Sequence, residues 1–180
     1  APDKLIETVH NFVDEREYYQ RDSAKLKQEL GISTHEKVLI HVSNFRKVKR
    51  VEDVVATFAK VQKAVGAKLL LVGDGPEMSG IHQQVKDLQI EHEVLFLGKR
   101  DNLSELYSMS DIKLLMSEKE AFGLVLLEAM ACGVPVVATR VGAFEEIVTE
   151  GTGALVDADE PAALAMAAAP FLDDPARLAG

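Results

Sequence analysis

The 180-residue sequence contains a single cysteine, Cys132. One thiol excludes an intramolecular disulfide framework and a multi-cysteine zinc site, and fits the reducing, cytoplasmic compartment. Long apolar runs are missing too: none approaches the roughly 20 residues of a membrane-spanning helix. Basic residues are few, with 20 Lys and Arg against 29 Asp and Glu, a net charge of −9. That balance argues against a nucleic-acid coat or a binder of anionic membranes, whose affinity needs a basic face. The opening Ala1-Pro2-Asp3-Lys4 is no signal peptide. Without an initiator Met, it fits a chain processed or cut from something longer. His10, His35, His41, His82 and His92 are scattered, with no His-Glu-x-x-His pattern and no cysteine partner, so a metal site is not expected. No Gly-x-Ser-x-Gly nucleophile elbow occurs. What remains is 47% hydrophobic and 27% charged, enough apolar surface for a sizeable core and too little bias for disorder.

Short β-rich runs alternate with longer helical patterns. Val38–Val42, Lys68–Val72, Glu93–Leu97, Ile112–Met116, Pro135–Thr139 and Ala154–Val156 read as strands. Between them, helical spacing runs over Val51–Val65, Met78–Leu88, Asn102–Met109, Leu124–Ala131 and, for a turn or two, Ala143–Thr149. A last helix starts near Pro161. Repeated strand–helix units imply a parallel sheet with right-handed crossovers, and continuously apolar strands imply a sheet covered on both faces. The expected fold is α/β, a Rossmann-like doubly wound parallel sheet. Ligands of such sheets bind beyond the carboxyl ends of the strands, at a topological switch point. Residues 151–180 hold ten Ala, one Arg and no Lys. That shift reads as an Ala-rich terminal helix or as a spliced terminus.

Three strand-to-helix loops draw attention. The first strand runs into Ser43-Asn44-Phe45-Arg46-Lys47-Val48-Lys49-Arg50, in which four of eight residues are cationic. Cations ahead of a helix N-terminus suit a diphosphate; a solvated charged face is the plainer alternative. The net negative charge hides this local cluster. The second strand ends in Gly73-Asp74-Gly75-Pro76-Glu77, where two glycines permit a tight turn and a close backbone approach to a ligand. A third fingerprint glycine is missing at Met78, and so is the P-loop Lys-Ser/Thr. The fourth strand leads to Ser117-Glu118-Lys119-Glu120-Ala121-Phe122-Gly123-Leu124, with Glu128 inside the apolar helix that follows. Such a carboxylate needs donors, and sugar or ribose hydroxyls would serve. An exposed helix face or a structural hydrogen bond would also explain it. Eight residues of unbroken helix span about 12 Å, against roughly 5 to 9.5 Å for a glycosidase pair. Glu120 and Glu128 therefore suit two contacts along one elongated ligand better than an acid and base on one bond.

The stretch Glu120-Ala121-Phe122-Gly123-Leu124-Val125-Leu126-Leu127-Glu128-Ala129-Met130-Ala131-Cys132-Gly133-Val134-Pro135 resembles the retaining, GT-B-fold glycosyltransferase family 4. Val72-Gly73-Asp74-Gly75-Pro76-Glu77, Leu97-Gly98-Lys99-Arg100-Asp101-Asn102 and the linker-like Val9–Asp14 are similar to family segments. The resemblance runs from about Val9 to Leu178. It implies that the whole chain, residues 1–180, is one nucleotide-sugar-binding domain, the C-terminal half of a hexosyltransferase whose N-terminal acceptor domain is absent. The donor would be a UDP-sugar, with no cofactor and no metal. Glu128 would accept from the ribose hydroxyls. Glu120 would contact the donor sugar, with backbone N–H groups around Phe122, Gly123 and Leu124 nearby. Lys49 would neutralise the diphosphate, Lys99 and Arg100 would flank the base, and Val125 would lie near the ribose and phosphate. Catalytic roles would fall to Lys49 and Glu120.

One departure stands out: the family's usual Gly-Arg ahead of the phosphate Lys is replaced by Ser43-Asn44, with Arg46 the substitute candidate. The Ser-Asn-Phe-Arg-Lys-Val-Lys-Arg version resembles the bacillithiol-pathway subgroup, which transfers N-acetylglucosamine from UDP to L-malate. Asp157-Ala158-Asp159 matches the metal motif of another glycosyltransferase class, but an Asp before a helix is a natural N-cap. His41, in a strand, reads as a satisfied core histidine, and Cys132 as a small buried residue. A non-catalytic nucleotide-sugar binder and a UDP-sugar epimerase are the alternative functions; product analysis separates the epimerase from a transferase.

Overall fold

The computed structural model describes residues 11–157 and 161–173. The elements are α1 (Ala24–Glu29), β1 (Lys37–Val42), a 3-10 turn (Lys47–Lys49), α2 (Val51–Gln62), β2 (Ala67–Val72), α3 (Met78–Asp87) and β3 (Val94–Gly98). They continue with α4 (Leu103–Ser108), β4 (Ile112–Leu115), α5 (Leu124–Ala131), β5 (Val136–Thr139), α6 (Phe144–Ile147), β6 (Gly153–Val156) and α7 (Pro161–Asp173). The six strands form one parallel sheet in the order β3-β2-β1-β4-β5-β6. This is the doubly wound, Rossmann-like arrangement that the strand–helix alternation implies. The chain builds outward from β1 to β3, then crosses back to place β4 on the other side of β1. The switch point therefore lies between β1 and β4.

Alternate strand residues feed two cores. Leu39, Leu69, Leu71, Ile112, Leu114 and Val137 pack on one face beneath α2, α3 and α7. Ile40, Leu70, Leu115, Val136 and Ala138 pack on the other beneath α4, α5 and α6. Burial on both faces explains why the four central strands read as largely apolar runs. Asp111 ties the lower ends of β1 and β4 together. Its carboxylate accepts from the Val38 N–H at 2.8 Å and pairs with Lys37 Nζ at 3.0 Å. Its own N–H donates to the Val38 carbonyl at 2.7 Å.

Two elements differ from the sequence pattern. The helix expected over Val51–Val65 ends at Gln62; past it the turn tightens, with the Ala64 N–H bonding three residues back to the Val61 carbonyl at 2.9 Å. Helix α1 was not expected; none of its six residues is buried, so it lacks an apolar stripe. The Ala-rich terminal segment does form a helix, α7, which packs Leu164, Ala168 and Leu172 into the core under α2. Of the Asp157-Ala158-Asp159 motif, Asp157 is exposed and pairs with Arg140 at 3.3 Å, while residues 158–159 lie outside the described residues. So do Val9 and His10 of the Val9–Asp14 segment.

Candidate functional site

A cavity of about 390 Å³ opens at the carboxyl ends of β1 and β4, where the switch point places a ligand. Val42, Ser43 and Asn44 form one wall; Leu115 and Glu120 through Val125 form the other, and Lys49 reaches in from the 3-10 turn. Six of the expected residues thus meet in one place: Lys49, Glu120, Phe122, Gly123, Leu124 and Val125. A groove of similar volume between α2 and α7 is lined by Val61, Ala64, Val65, Ala165 and Leu172, with Lys60 its single charged residue. It offers little to a phosphate or a sugar.

The walls are held by backbone and side-chain bonds. The Glu118 N–H donates to the Val48 carbonyl at 2.8 Å, which locks the β4–α5 loop onto the 3-10 turn. Thr139 Oγ1 donates to the Ser117 carbonyl at 2.6 Å. Lys49 Nζ donates to Glu120 Oε2 as a largely buried ion pair, to which the Ser117 hydroxyl adds a bond at 3.4 Å. The pair keeps both charges compensated at the cavity floor.

His41 is fully buried beneath the β1 wall, and burial, with Lys113 nearby, lowers its pKa to about 3. Its Nδ1 lies 3.0 Å from the Leu114 carbonyl, which can only accept, so Nδ1 carries the proton. Nε2 then accepts from the Ser43 hydroxyl at 2.7 Å. This is the satisfied core histidine of the sequence reading, and it orients Ser43 at the cavity edge. Cys132 is buried as well.

Helix α5 opens at the cavity. Gly123 is its N-cap with φ of 87°, and a Cβ there would lie 2.3 Å from the Phe144 ring. No acidic residue occupies the first turn of α5. By contrast, Glu52 and Asp53 fill the first turn of α2, so its N-terminus is met by its own carboxylates. The anion site expected at the helix after the cationic loop fits the start of α5 better. Of the four cations in that loop, only Lys49 lines the cavity. Arg46 is exposed on the outer side, and Arg50 pairs with Asp53.

Glu128 sits one turn beyond Leu124 on the same side of α5, about 6 Å further along the axis. It is half-buried, and its carboxylate accepts from the Tyr107 hydroxyl at 3.1 Å. Burial pushes its pKa up, opposed by the Tyr107 bond and by the Lys113 ammonium. Neither Tyr107 nor Lys113 was expected from the sequence. Lys113 is a fully buried cation in β4, and a lysine inside an otherwise apolar strand was the signal available.

Lys99 and Arg100 follow β3, two strands from the switch point, and are exposed; Arg100 Nε donates to the Leu97 carbonyl at 3.0 Å. Gly73 and Gly75 do allow a close approach, but to the neighbouring loop. A Cβ at Gly73, where φ is 127°, would lie 1.8 Å from the Ser43 carbonyl oxygen, and one at Gly75 would lie 2.5 Å from that of Phe45. Their role visible here is to let the β2–α3 loop seat the β1 wall. Gly73→Ala should therefore destabilise the chain by about 2–4 kcal/mol. Urea denaturation reads this directly, and an unchanged midpoint would refute the seating role.

Among the described residues, no group of three or more His, Cys, Asp and Glu is placed to hold a metal ion, and no helix is long and apolar enough to cross a membrane.

The family model for glycosyl transferases group 1 matches residues 22–179. The chain belongs to that family. This group 1 glycosyl transferase chain is 60% identical over 174 residues to N-acetyl-alpha-D-glucosaminyl L-malate synthase of Bacillus anthracis, a match covering 96% of the chain and 46% of the relative. Among solved structures, Anabaena Alr3699/HepE in complex with UDP and glucose superposes with a TM-score of 0.88 at 31% identity, over 96% of this chain and 49% of that one. Sucrose-phosphate synthase from Thermosynechococcus elongatus superposes with a TM-score of 0.83 at 32% identity, over 93% of this chain and 43% of that one. The fold is thus the Rossmann-like domain of GT-B glycosyltransferases. The chain spans about half the length of the curated relatives it matches.

Proposed function

We propose that this chain is the donor-binding half of a cytoplasmic, retaining glycosyltransferase that moves N-acetylglucosamine from UDP to L-malate. The observation that carries the reading is the cavity at the β1/β4 switch point. It has a cation at its floor, a helix start at its wall, and a carboxylate one turn further on. A nucleotide sugar has the matching order of groups: sugar, diphosphate, ribose. Glu120 takes the sugar end, Lys49 the diphosphate, and Glu128 the ribose diol. Phe122, Gly123, Leu124 and Val125 supply backbone and apolar wall between them. Arg46, Lys99 and Arg100 stand further out, where they would meet a ligand only through its outer phosphate or base. The choice of UDP, N-acetylglucosamine and malate is supported by the name of the 60%-identical Bacillus anthracis relative. UDP is also what the Anabaena structure holds. The acceptor wall would come from an N-terminal domain, so the 180 residues should bind donor without turning it over.

A calorimetric panel of UDP, GDP, ADP and UDP-N-acetylglucosamine tests the reading. UDP and its N-acetylglucosamine sugar should bind and the other two should not. No binding of any of them at about millimolar concentration would remove the donor site. Glu128→Ala should weaken UDP by about tenfold or more, the worth of a hydrogen bond to a charged acceptor. An unaltered Kd would leave Glu128 structural.

A further inference from the structure

Tyr107 is fully buried in α4, which packs against α5. Its hydroxyl reaches across to donate to Glu128 Oε2 at 3.1 Å, and no other hydrogen bond ends on that carboxylate among the described residues. Oε2 thus has a donor from the protein side, and Oε1 has none among the described residues. A glutamate on a helix surface otherwise samples several rotamers, and ordering it at binding costs affinity. We infer that Tyr107 is a positioning residue for donor recognition: it pins Glu128 in one orientation, so that Oε1 meets a ribose hydroxyl. The inference rests on the reading that Glu128 accepts from the ribose.

The electrostatics of the pair carry the same sign. The groups facing Glu128 are Tyr107 from α4, Lys113 from β4, Glu17 and Tyr18 from the segment before α1, and Cys132 at the end of its own helix. Burial raises the Glu128 pKa most; the Tyr107 bond and then Lys113 lower it, and Glu17 raises it. Burial and the Glu128 charge hold the Tyr107 phenol well above its ordinary pKa, so it remains a neutral donor at every pH of interest. An ionised carboxylate is the stronger acceptor for ribose hydroxyls, and protonation turns one of its oxygens into a donor. Binding through Glu128 should therefore fail as pH falls through its folded pKa, and losing the phenol should bring that failure to higher pH.

The test measures Kd for UDP and 2′-deoxy-UDP across the acid range for the wild-type chain, Tyr107→Phe and Glu128→Ala. The wild type should prefer UDP by about tenfold or more, and Glu128→Ala should erase that preference. Tyr107→Phe keeps the buried ring. It should cut the preference several-fold and move the acid limb of UDP binding to higher pH. A merely structural tyrosine would leave both the ratio and the limb in place. As a second arm that needs no loss of the hydroxyl, difluorotyrosine can be incorporated into Tyr18→Phe/Tyr19→Phe protein, where Tyr107 is the remaining tyrosine of three. A stronger phenolic donor should move the limb to lower pH. If Glu128→Ala keeps the wild-type preference, the ribose reading falls and the Tyr107 inference with it. If Glu128→Ala erases the preference while Tyr107→Phe and the fluorinated protein keep the wild-type ratio and limb, only the inference falls.

Discussion

In a two-domain enzyme carrying this chain, Lys49→Ala should lower kcat/KM by about 10²- to 10³-fold, the cost of removing one group aimed at developing charge. Departure of UDP builds negative charge on the diphosphate, and Lys49 is the cation of its loop that lines the cavity. The structure adds a second cost. Lys49 is the ion-pair partner of Glu120, and both side chains are more than four-fifths buried. Removing the ammonium leaves a carboxylate with reduced solvation beside the place a diphosphate would occupy. Repulsion then joins the lost attraction. The double variant Lys49→Ala/Glu120→Ala should therefore bind UDP more tightly than Lys49→Ala alone, even though it lacks one more contact to the sugar. Calorimetry on the 180-residue chain reads the binding cycle, and steady-state kinetics on the two-domain enzyme reads turnover. Unchanged kcat/KM would take Lys49 out of the chemistry. Additive losses in UDP binding would mean that Glu120 does not oppose the diphosphate once Lys49 is gone.

The sheet was readable because strands covered on both faces are mostly apolar, and the four central strands read that way, with His41 and Lys113 the polar exceptions inside β1 and β4. Helix α1 left no such trace, since none of its residues is fully buried and Leu26 alone packs against the core. Val65 extended the expected α2 because its spacing continues the apolar stripe, whereas the helix ends at Gln62 and the Ala64 N–H already bonds three residues back, to Val61. In the site, the loops and the α5 face were legible as motifs. The sequence could count the cations from Arg46 to Arg50 but not say which one turns inward. That choice is made by the 3-10 turn and by Arg50, which takes a left-handed φ of 46° and pairs with Asp53. Gly73 and Gly75 were expected to make room for a ligand, and the space they spare is filled by the Ser43 and Phe45 backbone. Tyr107 meets Glu128 across 21 residues of sequence, a contact no local pattern encodes.

Lys113→Met should make the isolated chain more stable at neutral pH, by on the order of 3 kcal/mol, because it replaces a desolvated cation with an apolar group of similar length. Lys113 is fully buried in β4, and its ammonium has a hydrogen bond of only 3.4 Å, to the Val42 carbonyl. Burial, with the Lys49 charge, lowers its pKa from 10.5 to about 7, while Glu128 acts in the opposite direction. A base with a depressed folded pKa leaves the unfolded chain binding more protons between the two values. The wild type should thus gain stability as pH rises from about 7 toward 10.5, and lose it on the way back down. In Lys113→Met that slope should flatten. Urea denaturation at pH values inside and below this window checks both claims; a less stable variant, or one with the wild-type slope, would refute the account. The substitution also removes a positive charge that holds the Glu128 carboxyl down. Methionine at 113 should therefore weaken UDP binding in mild acid while it stabilises the fold. A gain in stability paired with a loss in donor affinity is the expected signature of a buried charge retained for a site rather than for a core.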